Sequence, residues 1–546
     1  MAIKRYTADA DTTITNAYKA NLTTRGTGSN MGLSDVLTTF SIYGQASGST
    51  DGYSQELSRI LIKFPVATMS ADRTAGTVPA SGSIAWYLRM FNAKHSYTTP
   101  KDLILTISPL RQEWQEGNGL DMESYKDLTY DGVGANWLRA RSGSLPAGAG
   151  LISWDDIGGT YFGDTDPTTS YDASFPEGIE DLELDISELV EQWISGAKSN
   201  YGVMVKLTGS QEAYAAAASA TAIILNTTGS KESYYTKKFF ARGSEYFFKR
   251  PCIEARFDES NRDDRGNFFY SSSLSDGDGN TNTLFLYNYV RGNLANIPGI
   301  ATDYTGEIYV SFFSGSKDNS KVADRQEPIQ CVTTTDFVQA NNPYVVTGGY
   351  VETGIYSASI CLTSALAPLN KMFDVWFTGS HTIQSSVDPD GTIYTTGSFV
   401  PDKLDTSPIY ATPRYTTTIQ NLQPSYSHLD KPRLRAFIRE LGADYNIYVT
   451  AQKAPQNQII ENAYYKVYRI TDDTTAIAYG TGSSPGASGA TSDYTRLSFD
   501  VSGSYFDLDV SLLEQGFAYG VKFVYYDGAA YLEQPEIFKF RVEDKL

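Results

Sequence analysis

Carboxylates set beside tryptophan are the residues of this chain best suited to chemistry. Glu113 and Glu116 flank Trp114, and Asp155 and Asp156 follow Trp154. An indole face stacks on a sugar ring while a carboxylate accepts bonds from its hydroxyls, and two carboxylates at a fixed separation cleave a glycosidic bond. Trp114, Glu116, Trp154 and Asp155 are therefore the candidate carbohydrate-binding residues. The competing reading places both tryptophans in a sandwich core and an end loop, and spacing alone does not set a carboxylate separation. In DGDGNTN, Asp276, Asp278, Asn280 and Asn282 stand at alternate positions, a spacing of hard oxygen ligands that can wrap a calcium ion. The glycine and bidentate glutamate of an EF-hand are out of register, so an exposed hairpin turn built of turn formers accounts for the same residues.

Other chemistries lack their parts. The three histidines, His95, His381 and His428, fall in separate segments, and no G-x-S-x-G elbow, H-E-x-x-H, C-x-x-C or phosphate-binding loop is present. No catalytic residue and no cofactor is assigned. Cys252, Cys331 and Cys361 are too scattered for a disulfide framework or a zinc knuckle and read as buried free thiols, consistent with folding in a reducing cytosol. The net charge of −19 opposes a broad nucleic-acid or anionic-membrane surface. The start, MAIKRYTADADTT, has no apolar signal core, and no apolar run is long enough to span a membrane.

The elements that position these residues are mostly strands. With 546 residues the chain exceeds one core, and its 39 tyrosines, its Gly, Ser and Thr richness and few helical patterns predict a mainly-β, multi-domain fold. The exception is DLELDISELVEQWISGAKSNYGVMVKL (181–207). Leu182–Ile186 alternates as a strand. Ile186, Leu189, Val190 and Trp193 then recur at helical spacing, Asp185 and Glu188 have capping-box spacing, and Gly196 stands where a helix would stop. A short helix over one open end of a β-sandwich is predicted, followed by a strand at Val203–Leu207. AYAAAASATAII (213–224) reads as helix or flat strand, with buried loop packing or a subunit contact as its roles.

Around that helix the motif order resembles the DNRLRE-type jelly roll of extracellular, carbohydrate-associated proteins. SRILIKFP (58–65), IAWYLRMF (84–91), LILTISPLRQEWQEG (103–117), Trp154 with its two aspartates, the helix segment with NYGVMVK, and FFARGSEYFFKRPCIEARF (239–257) follow in family order. The resemblance covers about the first half of the chain and departs at a long insert around 117–180. It implies a jelly-roll domain over 1–257. DESNRDDRGN (258–267) reads as a polar linker, 258–400 as a middle β domain, and 401–432, with five prolines, as an extended strap. In 433–546, seven short alternating segments predict an immunoglobulin-like sandwich.

The stretches RYTADADTTITNAY with RGTGSNMGLSDVL, near the start, and SYFDLDVSLLEQGFAYGVKF with QPEIFKFR, near the end, resemble virion structural proteins of marine tailed phages. That resemblance implies a non-enzymatic virion component, folded in the host cytoplasm and present in several copies. It would dock on other virion proteins at the tail, neck, baseplate periphery or capsid surface. A carbohydrate-binding or receptor-contacting adhesin, taking a host surface glycan, is the alternative, and a polysaccharide-degrading enzyme the third reading.

Overall fold

The computed structural model describes residues 2–46, 53–94, 101–120, 133–141, 151–163, 170–270, 281–301, 306–315, 329–331, 344–362, 369, 371–379, 391–401, 414–441, 457–480, 493–526 and 530–544. The fold is mainly β and sandwich-like, as the composition predicts. By its internal packing the chain divides into two units. The first holds Met1–Asp258 with Gly480–Thr495 and Ser511–Gln515; the second holds the remainder.

Unit 1 contains β1 (Ile3–Thr7), β2 (Ala10–Thr15), β3 (Val36–Tyr43), β4 (Gln55–Lys63), α1 (Val66–Thr74), β5 (Ala85–Met90), β6 (Leu103–Pro109), β7 (Arg139–Arg141), β8 (Ile152–Ser153), β9 (Tyr171–Phe175), β10 (Leu182–Asp185), α2 (Ser187–Ser195), β11 (Val203–Leu207), β12 (Tyr234–Phe240) and β13 (Cys252–Arg256). One sheet runs β1-β13-β5-β10. The other runs β12-β3-β4-β11-β6-β9, with β2 also on β4, and every pairing within these two sheets is antiparallel. The first eight residues of β4 are all buried, so both faces of the larger sheet are covered. One face carries Ile60, Ile62, Val203 and Val205. The opposite face carries Ile14, Leu57, Leu61 and Met204, and on it lie Leu110, Trp114, Trp137 and Trp154. The long insert is thus a second apolar layer over that sheet.

The predicted helix is α2, and Leu189, Val190 and Trp193 are its buried stripe. It packs beside α1 and β5. Gly196 closes it with a φ of 77°, a conformation costly to a residue with a Cβ. The start differs from the predicted capping box. Ile186 holds the N-cap position, and the Asp185 carboxylate accepts the Ser187 N–H (2.9 Å) and hydroxyl (2.6 Å). A serine one residue inside competes successfully for the cap oxygen. The segment at 213–224 is neither helix nor strand. It is held by single bridges of Ala213 to Ser230 and Ala215 to Asn226, because consecutive alanines give neither face an anchoring side chain.

Unit 2 contains β14 (Asn282–Tyr287), β15 (Tyr289–Val290), β16 (Asn293–Leu294), β17 (Ile308–Gly315), β18 (Val346–Glu352), β19 (Ile355–Ile360), β20 (Lys371–Gly379), β21 (Gly391–Phe399), β22 (Arg414–Ile419), β23 (Ser425–Ser427), β24 (Arg433–Leu441), β25 (Ala463–Arg469), β26 (Thr475–Ile477), β27 (Ser498–Asp500), β28 (Gly503–Asp507), β29 (Ala518–Tyr526), β30 (Tyr531–Glu533) and β31 (Phe538–Glu543). Its sheets run β14-β19-β18-β17-β20-β21, β22-β24-β28-β27 and β23-β31-β29-β25-β26, with β30 on β29 and a small β15-β16 hairpin.

Two expected linkers are structured. In the 401–432 strap, β22 pairs with β24 and β23 with β31. Between Pro413 and Pro424 the chain is free of proline, and RYTTTI is rich in β-branched residues, which favour a strand. In the polar stretch after Asp258, the N–H of Asn261 donates to Ser498 Oγ, that of Asp263 to the Phe499 carbonyl, and that of Thr283 to the Asp264 carboxylate. Nine-tenths of this stretch therefore belongs to unit 2, fastening its middle sheet to β27. Charge reads as exposure in a sequence, but here Asp263 is buried and paired with Arg265.

Candidate functional site

The residues first singled out fill structural roles. Trp114 and Trp154 are 6% and 4% exposed. Their indole N–H groups donate to the carbonyls of Tyr201 and Asn136, both at 2.8 Å. Glu116 forms a two-pronged pair with Arg242, each bond 2.6 Å, and also accepts the Asp11 N–H. Asp155 and Asp156 are exposed on the turn after Trp154, and their backbone N–H groups donate to Gln112 and Thr160. No ring face is offered, and the best-placed carboxylate is already neutralised. Glu113 is exposed.

Of the DGDGNTN residues, Asp276, Asp278 and Asn280 lie outside the described residues. Asn282 is fully buried and clasps the backbone of Phe269, accepting its N–H and donating to its carbonyl. Among the described residues no group of three His, Cys, Asp or Glu side chains could hold a metal ion. His95 and His381 lie outside the described residues, and His428 is half-buried. All three cysteines are buried thiols outside any disulfide. Burial pushes the Cys252 thiol up to about 11 and Cys331 up to about 12, so neither is a ready nucleophile. Among the described residues no helix is long and apolar enough to cross a membrane.

Several motif arginines are clamps. Arg59, from the SRILIKFP strand, is 2% exposed and forms a double bond pair with buried Glu212, both distances 2.9 Å, while its Nη1 donates to the Gly158 carbonyl. Its guanidinium lies 5.4 Å from the Trp137 ring centre. Arg242 and Glu116 join the FFARGSE and RQEWQEG segments in the same way. These residues bind the insert layer and the chain closing the unit to the larger sheet.

No family model matches this sequence, and no curated protein matches it.

A concave site does exist in unit 1, at residues the carboxylate–tryptophan pattern does not mark. Tyr18, Tyr43, Tyr53 and Tyr214 surround a cleft of about 290 Å³, with Thr23, Arg25, Ser54, Ser219 and Thr221 on its walls. Tyr43 ends β3 and Tyr53 precedes β4, so the antiparallel pairing of these strands brings them to a centroid distance of 5.4 Å. Tyr214 meets Tyr43 edge-on at 6.5 Å, and the Arg25 guanidinium carbon lies 4.1 Å from the Tyr18 ring centre.

The walls are fixed by buried hydrogen bonds. Gln55 donates to the carbonyls of Ala213 and Ile224 and accepts the Ile224 N–H. Asn16 and Trp137 both donate to the Ala222 carbonyl. Glu56, next in sequence to the lining residue Gln55, accepts the Tyr18 N–H and the Ser54 hydroxyl. Burial raises its pKa, against the pull of those bonds and of Arg25. The signal for this site was the tyrosine density around YGQASGSTDGYS and AYAAAAS, which becomes a cleft only once β3, β4 and the 213–224 loop are brought together.

Proposed function

We propose that this protein is a non-enzymatic structural component of a tailed-phage virion, held by strand addition onto neighbouring virion proteins. The carrying observation is β21. Its sequence, GTIYTTGSF, is nine residues without charge or proline, and among the described residues no strand pairs with its outer edge. Natural sheets blunt such edges with charge, proline, bulges or cover. The other side of the same sheet is covered: Asp264 takes the Thr283 N–H and Arg265 Nη1 donates to the Phe285 carbonyl along β14. The edges of unit 1 carry charge, with Lys4 and Arg5 on β1, Glu183 and Asp185 on β10, Lys237 and Lys238 on β12 and Asp172 on β9. β21 has one register shift, where Trp376 pairs with Thr395 and Phe377 with Ile393, but its edge carries neither charge nor proline, and an uncharged edge of this length is suited to a partner's strand.

The resemblance of both ends of the chain to phage virion proteins supports the particle as the setting. The engagement of Glu116 and Glu212 in ion pairs supports a role without catalysis. Thr392→Lys with Thr396→Lys places two charges along the plain edge. The double variant should fold normally and fall at least several-fold in copy number on purified particles, measured by quantitative mass spectrometry. Wild-type incorporation of that variant removes β21 as the dock, and absence of the protein from particles removes the virion assignment.

A further inference from the structure

The tyrosine cleft of unit 1 is left unused by a docking role for β21. We infer that it binds a saccharide. Among the described residues, none of the four phenolic hydroxyls bonds to protein, although each ring is held in place by its neighbours. Free hydroxyls on fixed rings give donor–acceptor groups beside flat apolar faces. A pyranose presents the same combination, with a C–H face to stack and a rim of hydroxyls to bond. The cleft volume sits at the lower end of small-ligand pockets, roughly 300 Å³ and upward, which fits one or two sugar rings rather than a long chain.

Arg25 sharpens the chemistry. Among the described residues only its Nη1 bonds to protein, to the carbonyls of Asn16 and Gln55 at 2.7 and 2.9 Å. Nη2 and Nε remain for a ligand's hydroxyl pair or carboxylate. The walls need no rearrangement, because Gln55 and Asn16 hold them through bonds to the 213–224 backbone, so little ordering entropy opposes binding. The buried tryptophans contribute only through Trp137, which supports Ala222 from behind.

The test is saturation-transfer NMR on the full chain with glucose, galactose, N-acetylglucosamine and glucuronic acid, each also as a β-linked disaccharide. At least one probe should bind saturably. Tyr43→Ala and Tyr214→Ala should each weaken it about tenfold. Tyr53→Ala, at a residue already 60% exposed, should weaken it severalfold with an unchanged melting temperature. Tyr289→Ala, equally exposed in unit 2, should bind as wild type. A preference for glucuronic acid lost in Arg25→Gln would assign the guanidinium to a carboxylate, and equal binding of neutral sugars would assign it to hydroxyls. The inference is overturned if no probe saturates, or if Tyr53→Ala and Tyr43→Ala bind as wild type. Either result leaves the proposed docking role of β21 standing, since that is read from particle incorporation.

Discussion

Each unit buries an arginine against carboxylates, and the two arrangements differ in how completely the charges are satisfied. In unit 1, Arg59 spends Nε and Nη2 on the two oxygens of Glu212 and Nη1 on Gly158. Numbers match: one cation, one anion, every oxygen bonded. In unit 2, Arg265 faces two carboxylates, Asp374 at 2.6 Å and Asp263 at 3.1 Å, with Asp264 adjacent in sequence. Asp374 is fully buried. Its Oδ2 takes Arg265 and the Trp376 N–H, while Oδ1 and Arg265 Nε have no hydrogen-bond partner among the described residues. The orphan oxygen points at Gly397 of β21, where an added Cβ would sit 2.4 Å away. A matched pair acts as a fixed clamp. An overloaded one keeps its shape only while its protonation suits it.

The comparison breaks first at Arg59. Removing one partner of a buried pair strands the other charge, at a cost of about 3–5 kcal/mol. Arg59→Met should therefore lower the stability of unit 1 by that amount, measured by denaturant unfolding, with hydrogen exchange rising across β4 and β11. A loss under about 1 kcal/mol would mean that Glu212 finds water, and that the clamp is not dry.

Arg265→Met should cost less, about 2–4 kcal/mol at neutral pH. Asp263, whose burial already pushes its pKa up to about 6, can take up a proton, so the loss should shrink as pH falls toward 5. Hydrogen exchange on β14 and β20 would report it. A loss equal at pH 5 and pH 7.5 would show that protonation does not relieve the site.

The smallest effect is the pH slope of unit 2. Burial, aided by neighbouring carboxylates, pushes Asp263 up to about 6 and Asp264 up to about 7 from a usual 3.8, against bonds that favour the anion. The folded state then holds these protons more tightly than the unfolded one. Stability is greatest at or below about pH 4, declines as pH rises to about 7 and is level above that. Asp264→Asn should flatten that part of the slope between pH 5 and pH 7.5 in thermal melts. An unchanged slope would place the titration elsewhere.

Much of the architecture was legible as pattern. The α2 stripe, its glycine stop and the strand after it each follow from spacing over a few residues, and the expected middle β domain contains β14, β17, β20 and β21, all rich in β-branched and aromatic residues. Linkers were less legible. Composition marks DESNRDDRGN as solvated, yet Asp263 is 1% exposed, because Arg265 pairs with its carboxylate from two residues away and Phe499 of β27, far along the chain, accepts its N–H. The tryptophan–carboxylate pairs are equally ambiguous in sequence, for the same reason. A tryptophan looks alike in sequence whether its N–H meets a sugar or the carbonyl of Tyr201.

What the sequence by itself determined is local: the β-rich composition, the alternation that makes strands, the helical period of one short segment and the absence of recognisable catalytic motifs. These depend on neighbours within a turn or a strand, so they survive without knowledge of the rest. Tertiary structure alone decided which aromatics are buried and which are presented, which charges are matched, and which sheet edge is left plain. Each depends on residues tens to hundreds of positions apart. Tyr18, Tyr43, Tyr53 and Tyr214 become one cleft, and Arg59 and Glu212 one clamp, only when strand pairing removes the chain between them.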